Sequence, residues 1–126
     1  MPYQHTVMAI FNPGEPTGFL YTVGMPRQEL FALNVPRAFV HDVCSTMNVL
    51  SERRLFPDEG VKSGGLLFHL RELEGARRTA LMKTHLCQMD SLAVVLELCP
   101  LNAWPEAVGP CVDLSCSCCM CAECSG

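Results

Sequence analysis

Charge is scarce in this sequence: Asp, Glu, Lys and Arg make up 17% of its 126 residues, and the nine basic ones are thinly spread. A chain with a formal net charge of -4 and no cationic stripe cannot neutralise a run of phosphates, so no nucleic-acid partner is expected. The basic doublets Arg53–Arg54 and Arg77–Arg78 read as solvated helix ends. Long apolar runs are missing too. No stretch approaches the roughly 18 uncharged apolar residues of a membrane span, and Met1-Pro2-Tyr3-Gln4-His5 is not the charged opening of a signal segment. The expectation is a chain without a membrane span, in the cytoplasm or another reducing compartment or inside an assembled particle. Also absent are Gly-x-Ser-x-Gly, a phosphate-binding glycine loop and a dinucleotide fingerprint.

What is abundant is apolar. Hydrophobic residues form 49% of the chain, enough for a filled core or for a surface that meets a partner. Thr6–Phe11 is a short apolar run closed by Asn12-Pro13-Gly14-Glu15-Pro16-Thr17-Gly18, a loop by its prolines and glycines. Phe19–Val23 and Glu29–Val35 follow, separated by Gly24-Met25-Pro26-Arg27, and three short strands in succession suggest an antiparallel meander. Pro36 lies where a helix would begin, with Asn34 as a candidate cap. Phe39, Val40, Val43, Cys44, Met47 and Leu50 then recur at helical spacing.

Pro57-Asp58-Glu59-Gly60 and Gly64-Gly65 bracket a polar loop before a strand over Leu66–Leu73. A second helix is expected from about Ala76 to Met89, and a strand over Ser91–Leu98. The order βββ-α-β-α-β predicts an α+β fold, a two-layer sandwich with a mainly antiparallel sheet and two helices on one face. Residues 1–105 form the domain, 106–110 a linker and 111–126 a cysteine-rich tail.

The segment Phe19-Leu20-Tyr21-Thr22-Val23-Gly24-Met25 resembles the family catalogued as domain of unknown function 4262, which carries an aromatic-x-Tyr-Thr-x-Gly-aliphatic stretch. Val7–Ile10, Glu29-Leu30 with Asn34-Val35-Pro36, and Leu96 to Pro105 resemble further segments of that family in the same order, over about residues 4–105. Gln28 stands where the family usually has proline, and the tail has no family counterpart. The resemblance implies an α+β fold and no particular activity. It points to Tyr21, Thr22 and Gly24 as a shared ligand-binding site, where two hydroxyls beside a glycine would meet an anionic or amide group. Strand and turn grammar accounts for the same residues.

The tail carries the more explicit chemistry. Six of the nine cysteines, Cys111, Cys116, Cys118, Cys119, Cys121 and Cys124, fall within residues 111–126. Thiolates are ligands for zinc, copper(I) and iron-sulfur clusters, and Cys121-x-x-Cys124 lets two sulfurs meet one tetrahedral ion. Zinc, a disulfide or intermolecular cross-link, acylation of Cys118-Cys119 and a dispensable extension remain open readings.

Catalytic sets are harder to find. His41 and Cys44 lie one turn apart on the first expected helix, but Cys44 falls on the apolar face. His5, His41, His69 and His85 are dispersed, and Asp58-Glu59 sits in a solvated turn. No catalytic residue is assigned. The leading expectation is a non-catalytic interaction or structural module with a protein partner or self-association, its tail fixed by metal or disulfide, in an assembly such as a virus particle. The alternatives are a small-molecule-binding protein or minor enzyme with a site near Tyr21, Thr22 and Gly24, and a thiol-rich metal-binding protein.

Overall fold

The computed structural model describes residues 5–63, 65–86, 89–90 and 92–101, and the backbone of 119–121. β1 (Thr6–Ile10), β2 (Thr17–Val23) and β3 (Glu29–Pro36) form the expected antiparallel meander. Its register sets Met8 beside Tyr21 and Tyr21 beside Phe31. Gly18 sits at the irregularity between β2 and β3, and a β-carbon there would lie 2.3 Å from the Ile10 carbonyl oxygen, so only glycine fits.

Pro36 ends β3 instead of opening the helix. A single 3-10 turn over Arg37–Phe39 follows, and α1 runs from Val40 to Leu50. Asn34 adopts a positive φ of 56° within β3 and is not the cap. The apolar stripe behaves as its spacing predicts: Val40, Val43, Cys44, Met47 and Leu50 are all buried. They pack with Val7, Ala9, Leu20, Leu30 and Ala32 on one face of the sheet. Burying a side chain such as Leu30 or Met47 stabilises the fold by about 1.5–3 kcal/mol.

The polar loop expected before Leu66 contains a strand. β4 (Gly60–Ser63) pairs tightly with β5 (Leu66–Glu72), setting Val61 beside Phe68. Val61 is the only large apolar residue of β4, too little for a periodic signal, yet an edge strand needs only one buried face. α2 spans Gly75–Thr84, shorter than expected, with Leu81 its one buried residue. β6 (Val95–Pro100) begins later than expected and lies between β5, antiparallel, and β3, parallel. The backbone of β7 (Cys119–Cys121) pairs in parallel with β1, and the sheet order is β4-β5-β6-β3-β2-β1-β7.

The α+β class and the mainly antiparallel sheet stand, but the helices do not share a face. Leu81 packs with Tyr21, Phe31, Leu73, Leu86, Met89 and Val95, with Met8, Phe19, Val23 and Leu33 against them. In β1, β2 and β3 these alternate with the residues that meet α1, so α2 lies on the opposite side. The central strands Leu20-Tyr21, Leu30-Phe31-Ala32 and Val95-Leu96 are buried on both faces, which requires a cover on each. The expected boundaries of the linker and tail lie outside the described residues.

Candidate functional site

The turn between β2 and β3 is built on one carboxylate. Glu29, at the start of β3, is 6% exposed and accepts three hydrogen bonds. The Thr22 hydroxyl donates to its Oε1 at 2.9 Å, the Met25 amide to Oε1 at 3.1 Å and the Gly24 amide to Oε2 at 2.8 Å. Thr22 Oγ1 in turn accepts the Leu30 amide at 2.8 Å. A buried carboxylate is tolerated only when its lone pairs are met in this way. Gly24 has a φ of 93°, a left-handed conformation that glycine adopts without a β-carbon clash.

The three residues singled out from the sequence do not converge. Thr22 and Gly24 direct hydrogen bonds to Glu29, whereas Tyr21 lies on the other face in a filled core, stacked on Phe19 at 6.0 Å. Phe19 also meets the His85 ring edge-on at 4.6 Å. Thr22 is wholly buried, and Gly24 borders a cleft.

That cleft encloses about 490 Å³ between Gly24, Met25, Pro26, Arg27, Asp90 and Ala93. A second, of about 470 Å³, is lined by Arg54, Leu55, Phe56, Pro57, Glu72 and Val94. Arg27 and Gln28 border both, joining them along one end of the sheet. Gln28 is the hinge between the walls: it is buried, donates from Nε2 to the Leu55 carbonyl at 2.6 Å and accepts the Leu55 amide at 3.5 Å. The Arg54 guanidinium lies 5.3 Å over the Phe56 ring. Arg27 is exposed and makes no ion pair among the described residues. In the sequence Gln28 and Glu29 stand out only as positions of the resemblance. Their roles depend on backbone groups brought in by the turn and by the segment after α1, which residue spacing does not reveal.

A second polar group locks α2 to the sheet. Glu97 of β6 is nearly buried and receives Arg71 Nη2 at 3.2 Å, while Arg77 clasps it through both nitrogens, Nη2 to Oε2 at 3.0 Å and Nη1 to Oε1. Burial pushes the Glu97 carboxyl upward, but the hydrogen bonds and charges of Arg77 and Arg71 outweigh it and hold it below the ordinary glutamate value. On the same strand, burial followed by the Glu97 charge pushes the Cys99 thiol up, away from the reactive thiolate.

Cys44, His5, Asp58 and Glu59 are engaged in local polar contacts. Cys44 is wholly buried, and its thiol accepts the Asn48 amide at 3.7 Å. His5 meets the Asn48 carbonyl oxygen at 2.6 Å, which places the amide between that ring and the thiol. Asp58 is exposed and 3.4 Å from His69, while Glu59 accepts the Phe56 amide and pairs with Arg53. Among the described residues no three His, Cys, Asp or Glu side chains are grouped to hold a metal, and no helix is long and apolar enough to cross a membrane. The metal candidates Cys111, Cys116, Cys118, Cys119, Cys121 and Cys124 have side chains outside the described residues.

Glu97→Gln is expected to lower unfolding stability at neutral pH by about 1–2 kcal/mol, less than for a fully buried pair because Arg71 and Arg77 are 55% and 41% exposed. A carboxyl held low when folded contributes its full stability above its unfolded value near pH ~4.3, and loses it as pH falls through the lower folded value. Urea unfolding across pH should therefore show wild type and variant converging below pH ~4. A constant gap down to the acid limit would contradict the charged clasp.

Compared with protein-family models, with curated proteins and with solved structures, the chain matches none.

Proposed function

We propose that the chain is a non-catalytic interaction module that associates with copies of itself through the end of the sheet where the two clefts meet. One observation carries this reading: Phe56 and Val94, 56% and 47% exposed, stand in the same cleft as the arginines Arg27 and Arg54. Exposed apolar side chains framed by guanidinium groups have the composition of an interface core and rim. A second copy suits the charge, because the chain has 13 acidic residues against nine basic ones. The hydrogen-bonding groups of Thr22 and Gly24 already serve Glu29, which favours a docking surface over a reaction centre.

Sedimentation velocity on the full chain, with reductant and chelator present, tests the reading. Wild type should associate reversibly with rising concentration, and the double variant Phe56→Ser, Val94→Ser should remain monomeric with an unchanged circular dichroism spectrum. Equal behaviour of the two would refute docking through this end. Gly24 and Arg27 on the wall of the larger cleft favour a small anionic ligand as the second reading, which predicts a monomer whose melting temperature rises with added carboxylates.

The tail is proposed to be fixed by zinc or by disulfides through Cys111, Cys116, Cys118, Cys119, Cys121 and Cys124. Native and acid-denatured intact masses separate the two: zinc is lost on denaturation, whereas a disulfide persists until reduction. A metal-free mass with all six thiols titratable would exclude both.

A further inference from the structure

We infer that the occupant of the groove is residues 101–106 of a second copy, with Trp104-Pro105 on the apolar wall and Glu106 against Arg27 and Arg54. This rests on the docking reading above and names the partner segment. The groove asks for two chemistries side by side. Its apolar wall is Leu55, Phe56, Pro57 and Val94; Glu72 lines it too and Asp90 borders the adjoining cleft, but Arg27 and Arg54 make no ion pair with either or with any other described carboxylate. The fitting segment has a large apolar side chain followed closely by a carboxylate. Trp104-Pro105-Glu106 has that order and holds the only tryptophan of the chain. A rigid indole and a proline lose little conformational entropy on docking, which makes them good anchors.

Geometry then decides between the chain's own segment and a neighbour's. Val94 lies just before β6, and Leu101 just after it, where the Leu101 amide donates to the Leu67 carbonyl at 2.9 Å. A strand of this length separates Val95 from Leu101 by about 20 Å. Trp104 is three residues beyond Leu101, a reach of at most about 11 Å for extended chain, and β6 is already directed away from the groove. The segment of the same chain therefore falls short, while that of a second copy is unrestricted. The contact joins two different surfaces, so it is heterologous, and assembly should continue past the dimer into a ring or an open chain.

The test is sedimentation velocity on the full chain in reductant and chelator, which removes association through tail thiols or metal. Trp104→Ala, Arg27→Glu and Glu106→Arg should each weaken association roughly tenfold or more. The double charge reversal Arg27→Glu, Glu106→Arg should recover most of it, and Trp104→Phe should retain more than Trp104→Ala. Circular dichroism checks folding, and the recovery in the double variant does not depend on any variant being weaker through misfolding. If Phe56→Ser, Val94→Ser abolishes association while Trp104→Ala and Glu106→Arg associate like wild type, the groove docks another surface and this inference is overturned, with the docking reading intact. If neither set matters, the docking reading falls with it.

Discussion

The Glu29 carboxylate is the constraint on which the described surface depends. A charge removed from water is costly unless its lone pairs are met, and three donors from Thr22, Gly24 and Met25 meet them. This closes the turn between β2 and β3 and fixes where Arg27 and Gln28 emerge. Gln28 then ties the start of β3 to Leu55, carrying the order of the turn to the segment after α1. The two clefts are the spaces on either side of that tie.

The sheet behind the turn is held from both sides by different means. On one face α1 inserts an apolar stripe into Val7, Leu20, Leu30 and Phe68. On the other, α2 contributes few apolar side chains and is anchored by Arg77 on Glu97, with Leu81 as its buried residue. The Glu97 clasp weakens as its carboxyl is protonated in acid, so the anchoring of α2 depends on pH.

Strand and helix positions were readable where periodicity was strong. Phe19–Val23 and Glu29–Val35 appear as strands, and the stripe from Val40 to Leu50 appears as α1. Where the apolar pattern is thin, spacing alone does not mark the element. β4 has one large apolar residue and reads as a loop, and Met89, where the expected helix ends, packs with Leu81 and Leu86 from outside α2. A sheet with both helices on one face would be one-sided, whereas Leu30-Phe31-Ala32 is apolar at successive positions, the mark of a strand covered twice.

The candidate site shows the same division. Tyr21, Thr22 and Gly24 stood out by adjacency, but adjacency along a strand sends side chains to opposite faces, and Tyr21 and Thr22 parted accordingly. Glu29 and Gln28 were overlooked because their partners are turn and loop backbone, set by tertiary structure. Glu29 holds that turn, and amide hydrogen exchange at Gly24 and Met25 reads its hold directly. Both amides should exchange slowly in the wild-type chain and at least about tenfold faster in Glu29→Ala, while the Leu98 amide in central β6 remains protected. Rapid exchange of Gly24 and Met25 in the wild type would contradict it.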